Sequence, residues 1–211
     1  MASTTAGLRS RTARKPRSRN QGQLRSLEQA GVFLKNFLRH PLMLGSAIPS
    51  SRYLISRVLD QVDWENVCTA VEYGPGVGTF TRPILSRLSN DSNLLAIELN
   101  ADFAELLRAD TTDSRLQVAH GSCADVVHWM KLHQLAPAEF ILSGIPYTVL
   151  NAALRRRILA ATRDALTADG VFVVYQYTRA VLPDLQDVFS DVQEDFEPLN
   201  ILPARVFFCR K

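Results

Sequence analysis

Apolar residues along this chain alternate between short continuous runs and stripes with a helical repeat near 3.6 residues. Five short runs predict buried strands: Cys68–Tyr73, Asn93–Glu98, Arg115–His120, Glu139–Gly144 and Val171–Tyr177. Helical patterns separate them: Phe80–Leu88, Asp102–Arg108, Ala124–His133 and Asn151–Leu166. Strands that alternate with helices pair in parallel, because each helix returns the chain to the same end of the sheet.

The last two predicted strands, Val192–Leu199 and Arg205–Arg210, break this alternation. Only a short link joins them, which leaves no room for a crossover helix, so they must pair antiparallel. The pattern therefore predicts an α/β fold whose mostly parallel, seven-stranded sheet ends in a C-terminal antiparallel hairpin.

The N-terminal region has a different pattern. Residues 1–22 show almost no apolar periodicity and are predicted to be a disordered basic tail, while 23–62 should form N-terminal helices and 63–211 the α/β domain. The first helix runs from Leu27 to before Pro41, and the second follows a cap at Ser50 or Ser51 and extends to Val62. The first helix is amphipathic, so it either packs on the domain or lies in a membrane interface.

Charge and cysteine content narrow the cellular setting. Residues 1–30 carry a net charge of +6, and the rest sums to −3 because the whole chain carries +3. Basic arms bind anionic lipid headgroups or nucleic-acid phosphates, although a solvated tail has the same composition. Three widely spaced cysteines predict a reducing compartment, with no disulfide framework and no metal. No apolar run is long enough to cross a bilayer.

A glycine-rich turn follows the first strand. Gly74, Gly76 and Gly78 alternate with other residues, and Glu72 stands two places before them. A dinucleotide site would need Gly or Ala at position 79, where this chain has Thr79. The spacing is instead that of S-adenosyl-L-methionine sites, which predicts that these glycines and Glu72 bind that cofactor; the alternative is a structural turn between strand and helix.

Other predicted cofactor contacts come from the next strand ends. Glu98 ends the second strand, 20 residues after Gly78, where an acid accepts hydrogen bonds from both hydroxyls of a ribose. We expect Ser122 and Cys123 to face the adenine from the turn after the third strand, and Ser143 to contact the cofactor from the fourth. Together these features predict a Rossmann-like class I methyltransferase fold.

The loop after the fourth strand should border the transferred methyl, since ligands of open α/β sheets lie outside the carboxyl ends of the strands. Its sequence, Ser143-Gly-Ile-Pro-Tyr147, resembles the Asn-Leu-Pro-Tyr signature of rRNA adenine dimethylases. Gly144 stands where those enzymes have the asparagine that accepts a hydrogen bond from an adenine amine. Tyr147 remains available to stack on a base or to hold a cation.

Several further segments resemble one family in this order. They are Phe33-Leu-Lys-Asn-Phe-Leu38, Gly45, Pro49-Ser-Ser51, Ser143-Gly-Ile-Pro146, Gln176-Tyr-Thr178 and Asn200-Ile-Leu-Pro-Ala-Arg205. From about Phe33 to its end the chain resembles the bacterial phospholipid N-methyltransferases, the soluble type that is similar to rRNA adenine dimethylases. The resemblance implies a cytoplasmic enzyme, peripherally associated with the inner face of the membrane, that methylates phosphatidylethanolamine or its methylated intermediates. Tyr147 departs from the aliphatic residue expected there, so an ornithine-lipid amine is an alternative.

Transfer of a methyl group to a neutral amine assigns roles to several residues. We expect Tyr147 or Tyr177 to take the amine proton, the Gly144 carbonyl to orient the amine, and Tyr175 to pack in the core. Arg205 is placed to bind a lipid phosphate or to form a structural salt bridge. Substrate contacts are also expected from Ser50 and Ser51.

The expected partners are an amine lipid and an anionic membrane surface, with no nucleic acid and with the chain as a monomer. Two rival functions remain. One is an RNA adenine methyltransferase, against which stand the glycine at position 144 and the expected lack of a C-terminal helical domain for gripping RNA. The other is a catalytically inactive cofactor-binding scaffold.

Overall fold

A computed structural model describes residues 50–211, so the predicted tail and the predicted helix before Pro41 lie outside the described residues. The described part contains one seven-stranded sheet in the order β3-β2-β1-β4-β5-β7-β6. The strands are β1 Thr69–Tyr73, β2 Asn93–Glu98, β3 Leu116–His120, β4 Ala138–Ser143, β5 Leu166–Gln176, β6 Asp191–Glu197 and β7 Ala204–Arg210. Strands β1 to β5 pair in parallel, and β7 pairs antiparallel with both β5 and β6. The predicted fold is therefore confirmed, including its antiparallel C-terminal hairpin.

Among the described α-helices, the first precedes β1 and the others lie between strands. The helices are α1 Arg52–Leu59, α2 Thr81–Leu85, α3 Ala101–Asp110, α4 Val126–Leu132, α5 Ala152–Ala165 and α6 Leu182–Val188. The first begins at the predicted cap, because the Ser51 hydroxyl accepts a hydrogen bond from the Leu54 amide, but it ends at Leu59 rather than at Val62. Helix α6 was not predicted. It carries Pro183 in its first turn, where a missing N–H is tolerated.

Apolar layers cover both faces of the sheet. On one face α1 and α2 pack residues such as Leu54, Val58 and Ile84 against the strands. On the other face α4, α5 and α6 contribute Val126, Leu159 and Leu185. All five residues of β1 are buried as a result. Burial on both faces explains why the central strands have continuous apolar runs instead of alternating ones.

The strand order reverses beside β1, which pairs with β2 on one side and with β4 on the other. Crevices outside the carboxyl ends of parallel strands at such a reversal are the usual ligand sites of open α/β sheets. The glycine turn, Glu98, Gly144 and Tyr177 all follow or end the strands at this edge. No helix within residues 50–211 is long and apolar enough to span a bilayer.

Candidate active site

The turn after β1 is built on three glycines in the left-handed region, with φ of +66° at Gly74, +55° at Gly76 and +81° at Gly78. Side chains disfavour these dihedrals, so the turn needs glycine for its conformation. A Cβ on Gly74 would lie 2.9 Å from the Ile145 Cγ2 atom, whereas a Cβ on Gly76 would meet no atom of the described residues within 4 Å. The turn is therefore packed against the neighbouring loop at Gly74 and leaves open space for a ligand at Gly76.

Glu98 faces this turn from the end of β2. Its Oε2 atom accepts a hydrogen bond from the Gly76 amide at 3.0 Å, and its Oε1 atom accepts one from the Asn100 amide at 2.9 Å. Burial raises the pKa of this carboxyl group, and the backbone hydrogen bonds act in the opposite direction. Each oxygen keeps a lone pair beyond these contacts, so the carboxylate is held in place and can still accept from two hydroxyls of a ribose.

Glu72 is the second carboxyl group beside the turn. It is buried, and its Oε2 atom accepts a hydrogen bond from the Thr81 hydroxyl at 2.6 Å. Burial, together with the negative charge of Glu98, raises the pKa of Glu72 to about 7. Two neighbouring buried carboxyl groups favour a cationic ligand, and S-adenosylmethionine carries a sulfonium and an ammonium. The open space at Gly76 and these two carboxyl groups fit that cofactor.

The turn after β3 lies next to Glu98, since the Gly121 amide donates to the Glu98 carbonyl at 2.8 Å. The Ser122 hydroxyl accepts from the Ala124 amide, so it caps the short 3₁₀ turn Cys123–Asp125. Cys123 is buried, and burial raises the pKa of its thiol to about 12. This turn borders the Glu98 carboxylate, and the adenine contacts of Ser122 and Cys123 stay a prediction.

A cavity of about 130 Å³ opens at the carboxyl ends of β4 and β5. It is lined by Gly144, Pro146, Thr148, Tyr175, Gln176, Tyr177 and Thr178. The loop that forms one wall touches the glycine turn, because the Gly144 amide donates to the Tyr73 carbonyl at 3.0 Å and Ile145 packs against Gly74. A group bound in this cavity therefore lies beside the glycine turn.

Tyr175 is a cavity residue and not only a core residue as predicted. Its ring packs on Phe80 with ring centroids 5.2 Å apart, and a Cβ built on Gly144 would overlap the Tyr175 hydroxyl oxygen. Burial and the charge of Glu72 raise the pKa of this hydroxyl, and the nearby Ser50 side chain acts in the opposite direction, so the hydroxyl stays protonated. The strand register could have revealed this contact. Ser143 pairs with Val174, so the residues that follow them, Gly144 and Tyr175, lie side by side.

Tyr147 does not line the cavity, which corrects its predicted role. It begins the 3₁₀ turn Tyr147–Val149 after Pro146, and this turn directs the ring into the core. The side chain is fully buried, and its hydroxyl accepts a hydrogen bond from the Ser143 hydroxyl at 3.3 Å. Ser143 is likewise fully buried, so its side chain faces the core rather than the glycine turn.

The remaining predicted residues divide between structure and site. Besides capping α1, Ser51 donates its amide to the Asn200 Oδ1 atom at 2.8 Å, so its role is structural. Arg205 forms a salt bridge with Glu194 and lies over the Phe196 ring at 5.4 Å. Of the two roles expected for it, this contact matches the structural salt bridge rather than the lipid phosphate site. Tyr177 does line the cavity and is 38% exposed.

Comparisons with known proteins place this geometry in context. The family model described as ribosomal RNA adenine dimethylase matches residues 42–173, which is more than half of the chain. An ornithine lipid N-methyltransferase from Singulisphaera acidiphila is 29% identical over 185 residues, covering 85% of this chain and 94% of that protein. These matches confirm the resemblance found in the sequence.

Two further similarities support less, one because it covers a short stretch and the other because its sequence identity is low. Ribosomal RNA small subunit methyltransferase A from Alcanivorax borkumensis is 31% identical over 116 residues, which cover 55% of this chain but 39% of that enzyme. The precorrin-6y C5,15-methyltransferase of Geobacter metallireducens has a similar structure, with a TM-score of 0.58 at 15% identity over 75% of this chain and 88% of that one. At this identity the structural match supports the fold alone.

Proposed function

The chain belongs to the ribosomal RNA adenine dimethylase family of S-adenosylmethionine-dependent methyltransferases, and we propose that it methylates the amine of a membrane-lipid headgroup. The observation that carries this proposal is the contact between Gly144 and Tyr175. In the dimethylase signature an asparagine amide stands at this position, and here a hydroxyl from the neighbouring strand fills that space. The site thus offers a small polar contact suited to an aliphatic amine.

The similarity to the ornithine lipid N-methyltransferase supports the same substrate class, because it extends over 94% of that protein. The match to the RNA methyltransferase from Alcanivorax borkumensis is confined to 39% of its length. Among lipids with a free amine, an ornithine lipid is the first candidate and phosphatidylethanolamine with its methylated intermediates the second. Ornithine lipid and unmethylated phosphatidylethanolamine each present a primary amine on a headgroup that also carries an anionic group.

The substrate nitrogen must be neutral to attack. An aliphatic ammonium has a pKa of about 10 in water, and desolvation in the cavity lowers it. Because Tyr175 remains protonated, we assign it a positioning contact in which its hydroxyl oxygen accepts a hydrogen bond from an amine N–H. The Gly144 carbonyl is the second proposed acceptor, and the released proton leaves to water through the open side of the cavity.

When bound, S-adenosylmethionine supplies a methyl group on a positively charged sulfur. The amine lone pair would accept this methyl group, and the sulfur would keep the electrons of the C–S bond and leave as a neutral thioether. The rings of Tyr175 and Tyr177 can stabilise the increasingly methylated cation by about 0.5–2 kcal/mol each. Most of the rate enhancement should come from holding the two reactants together beside the glycine turn.

The direct test supplies labelled S-adenosylmethionine to the purified protein with three acceptors. These are vesicles containing ornithine lipid, vesicles containing phosphatidylethanolamine, and unmodified small-subunit ribosomal RNA. We expect label in a lipid fraction and none with a Glu98→Ala control. Label confined to the RNA would overturn the proposal in favour of adenine methylation, and binding of the cofactor without transfer to any acceptor would favour the scaffold alternative.

A further inference from the structure

The loop between β6 and β7, residues 198–203, presents an apolar surface to solvent. Leu199 is 61% exposed, Ile201 63% and Leu202 50%, and the prolines at both ends of the loop are also exposed. Isolated exposed aliphatic residues are common, but three large ones within four positions form a contiguous patch. Such patches mark surfaces that contact another molecule.

Hydrogen bonds hold this loop in shape. Asn200 is the buried residue of the loop, and its Oδ1 atom accepts from the Ser51 amide at 2.8 Å. Its Nδ2 atom donates to the Ile201 and Leu202 carbonyls at 3.3 and 3.1 Å. Leu202 has a φ of +61°, a conformation that is unfavourable for leucine. The loop therefore keeps its aliphatic side chains outward in a fixed and locally strained arrangement.

The loop lies beside the cavity. The Ser51 amide donates to Asn200 of the loop, and the preceding residue Ser50, whose Cα lies about 3.8 Å away, is close enough to the Tyr175 hydroxyl in the cavity wall to lower its pKa. The strand register gives the same result, because Gln176 of the cavity wall pairs with Arg205, two residues after the loop. Cavity and loop therefore share one edge of the molecule.

The first turn of α1 extends this edge with amphipathic side chains. Tyr53 is 42% exposed, and the Arg52 guanidinium lies over its ring at 4.9 Å and donates to its hydroxyl at 2.8 Å. Arginine and tyrosine beside aliphatic groups are typical of surfaces at the boundary between lipid headgroups and acyl chains. The positive charge of Arg52 also complements an anionic headgroup layer.

We propose that the 198–203 loop inserts into the headgroup–acyl boundary of a lipid bilayer and brings the mouth of the cavity to the membrane surface. The proposal rests on the proposed function, since a lipid whose amine occupies the cavity must leave its acyl chains at the cavity mouth. A bilayer at this edge accepts those chains without removing the lipid from the membrane. Burial of the three aliphatic side chains then contributes directly to membrane affinity.

The test compares vesicle binding of the full-length protein and two variants. Leu199, Ile201 and Leu202 are replaced together by serine (L199S/I201S/L202S), and the matched control is L106S/L132S, which removes exposed aliphatic groups elsewhere. Vesicles contain equal parts of phosphatidylglycerol and phosphatidylethanolamine. We expect the partition coefficient of the loop variant to fall at least tenfold and that of the control to stay within twofold of wild type. Equal binding by the loop variant and wild type, or no binding by wild type, overturns the proposal.

Folding and function are checked separately. Circular dichroism and calorimetric binding of S-adenosylhomocysteine should be the same in wild type and the loop variant. In an independent measurement, Ile201→Trp should give a blue shift of tryptophan emission when vesicles are added, beyond any shift in wild type. An unchanged emission spectrum contradicts insertion even if the serine variant misfolds.

Activity distinguishes this proposal from the proposed function. Wild type should methylate both vesicle lipids and a short-chain, water-soluble analogue with an ornithine or ethanolamine amine, whereas the loop variant should lose only vesicle activity, by at least tenfold. If wild type methylates neither substrate, the proposed function fails. The loop proposal is then tested by the vesicle-binding measurements alone. If the loop variant methylates vesicle lipids as fast as wild type, the loop proposal fails and the proposed function stands.

Discussion

Burial separates Glu72 from the water that normally stabilises a carboxylate. Its pKa is raised to about 7 from an ordinary value of 4.5, so the folded protein binds a proton here that the unfolded chain releases. Stability is therefore highest while the group is protonated and falls as pH rises from about 4.5 to 7. The protein keeps this unfavourable group beside Glu98 and the glycine turn, which is consistent with a cationic ligand that compensates for it.

Replacement of Glu72 by glutamine should remove this pH dependence. Glutamine keeps the acceptor for the Thr81 hydroxyl but carries no charge to desolvate. We expect Glu72→Gln and wild type to have similar free energies of unfolding near pH 4.5, and the variant to be more stable by about 3 kcal/mol above pH 7. Urea unfolding at a series of pH values measures this, with the exposed Glu65→Gln as control. A constant difference at all pH values would contradict the raised pKa.

Glu98 is expected to carry cofactor affinity. Loss of its carboxylate removes the acceptors for the ribose and also releases the Gly76 and Asn100 amides that hold the turn. Hydrogen bonds to a charged group contribute about 1.5–3 kcal/mol each, so Glu98→Ala should weaken S-adenosylhomocysteine binding at least 100-fold. Isothermal titration calorimetry measures this against Glu105→Ala, which removes an exposed carboxylate from α3. Unchanged affinity would refute the ribose role.

Tyr175 should affect turnover rather than cofactor binding. Tyr175→Phe removes the hydroxyl next to Gly144 and keeps the ring on Phe80. We expect kcat for the lipid amine to fall about tenfold, because the amine loses one orienting hydrogen bond, which is worth about 1.4 kcal/mol in the transition state. S-adenosylhomocysteine affinity should not change. A variant with normal kcat and weaker cofactor binding would assign Tyr175 to the cofactor site instead.

The positions of the residues at the glycine turn were predictable from sequence, and those of the residues around the cavity were only partly predictable. Glu98 and the glycines are identified by spacing along the chain, because a strand, a turn and a helix follow each other in fixed order. The direction of Tyr147 depends on the 3₁₀ turn after Pro146, which spacing alone does not reveal. Tyr175 reaches the cavity only because the residue beside it, just after the end of β4, is Gly144. This relation joins two strands that lie far apart in sequence.

At the level of elements, the central strands were predicted closely and the C-terminal half less well. The bounds of β2 agree with the prediction at both ends, since polar Asn93 and Glu98 flank its four apolar residues. Strand β5 begins at Leu166 instead of Val171, because Asp169 and Gly170 resemble a loop and lie where the pairing with β4 is irregular. Helix α6 has seven residues, which is too short for its apolar repeat to stand out.

One ion-pair network joins α1 to the edge strand β6. The Arg57 Nε atom lies 2.8 Å from the Glu197 Oε2 atom, and its Nη1 atom lies 3.0 Å from the Asp195 Oδ2 atom. The Glu197 side chain is 4% exposed, so removing Arg57 leaves a nearly buried carboxylate without its cation. Loss of one partner of a buried pair destabilises more than loss of a surface pair.

Arg57→Ala should therefore lower the free energy of unfolding by about 2 kcal/mol, between the values for surface and fully buried pairs. Chemical denaturation measures this change. The matched control is Arg156→Ala, which removes an exposed arginine from α5 and should change stability by less than about 0.5 kcal/mol. Equal effects of the two substitutions would indicate that the network contributes little to docking α1 against the sheet.

For the whole molecule, the basic arm and the 198–203 loop would make two separate contributions to the proposed membrane binding. Residues 1–30 carry +6, and the remaining residues sum to −3. Attraction between a basic arm and anionic lipid is screened by salt, because the Debye length falls from about 10 Å at 0.1 M to about 3 Å at 1 M. Burial of the aliphatic side chains of the 198–203 loop is not screened in this way. Ionic strength should therefore separate the two contributions.

Removal of residues 1–40 should weaken sedimentation with anionic vesicles at low salt and leave a residual binding that changes little with salt. Wild type should lose affinity as salt is raised, until it approaches the truncated protein. If the arm and the loop act independently, their free energies add, so the fold-losses of the truncation and of L199S/I201S/L202S should multiply in the combined variant. Sedimentation at about 0.1 M and about 0.5 M salt measures all four proteins. Equal binding by the truncated and full-length chains at low salt would exclude the arm and the predicted first helix as membrane contacts, and would leave the loop to account for attachment alone.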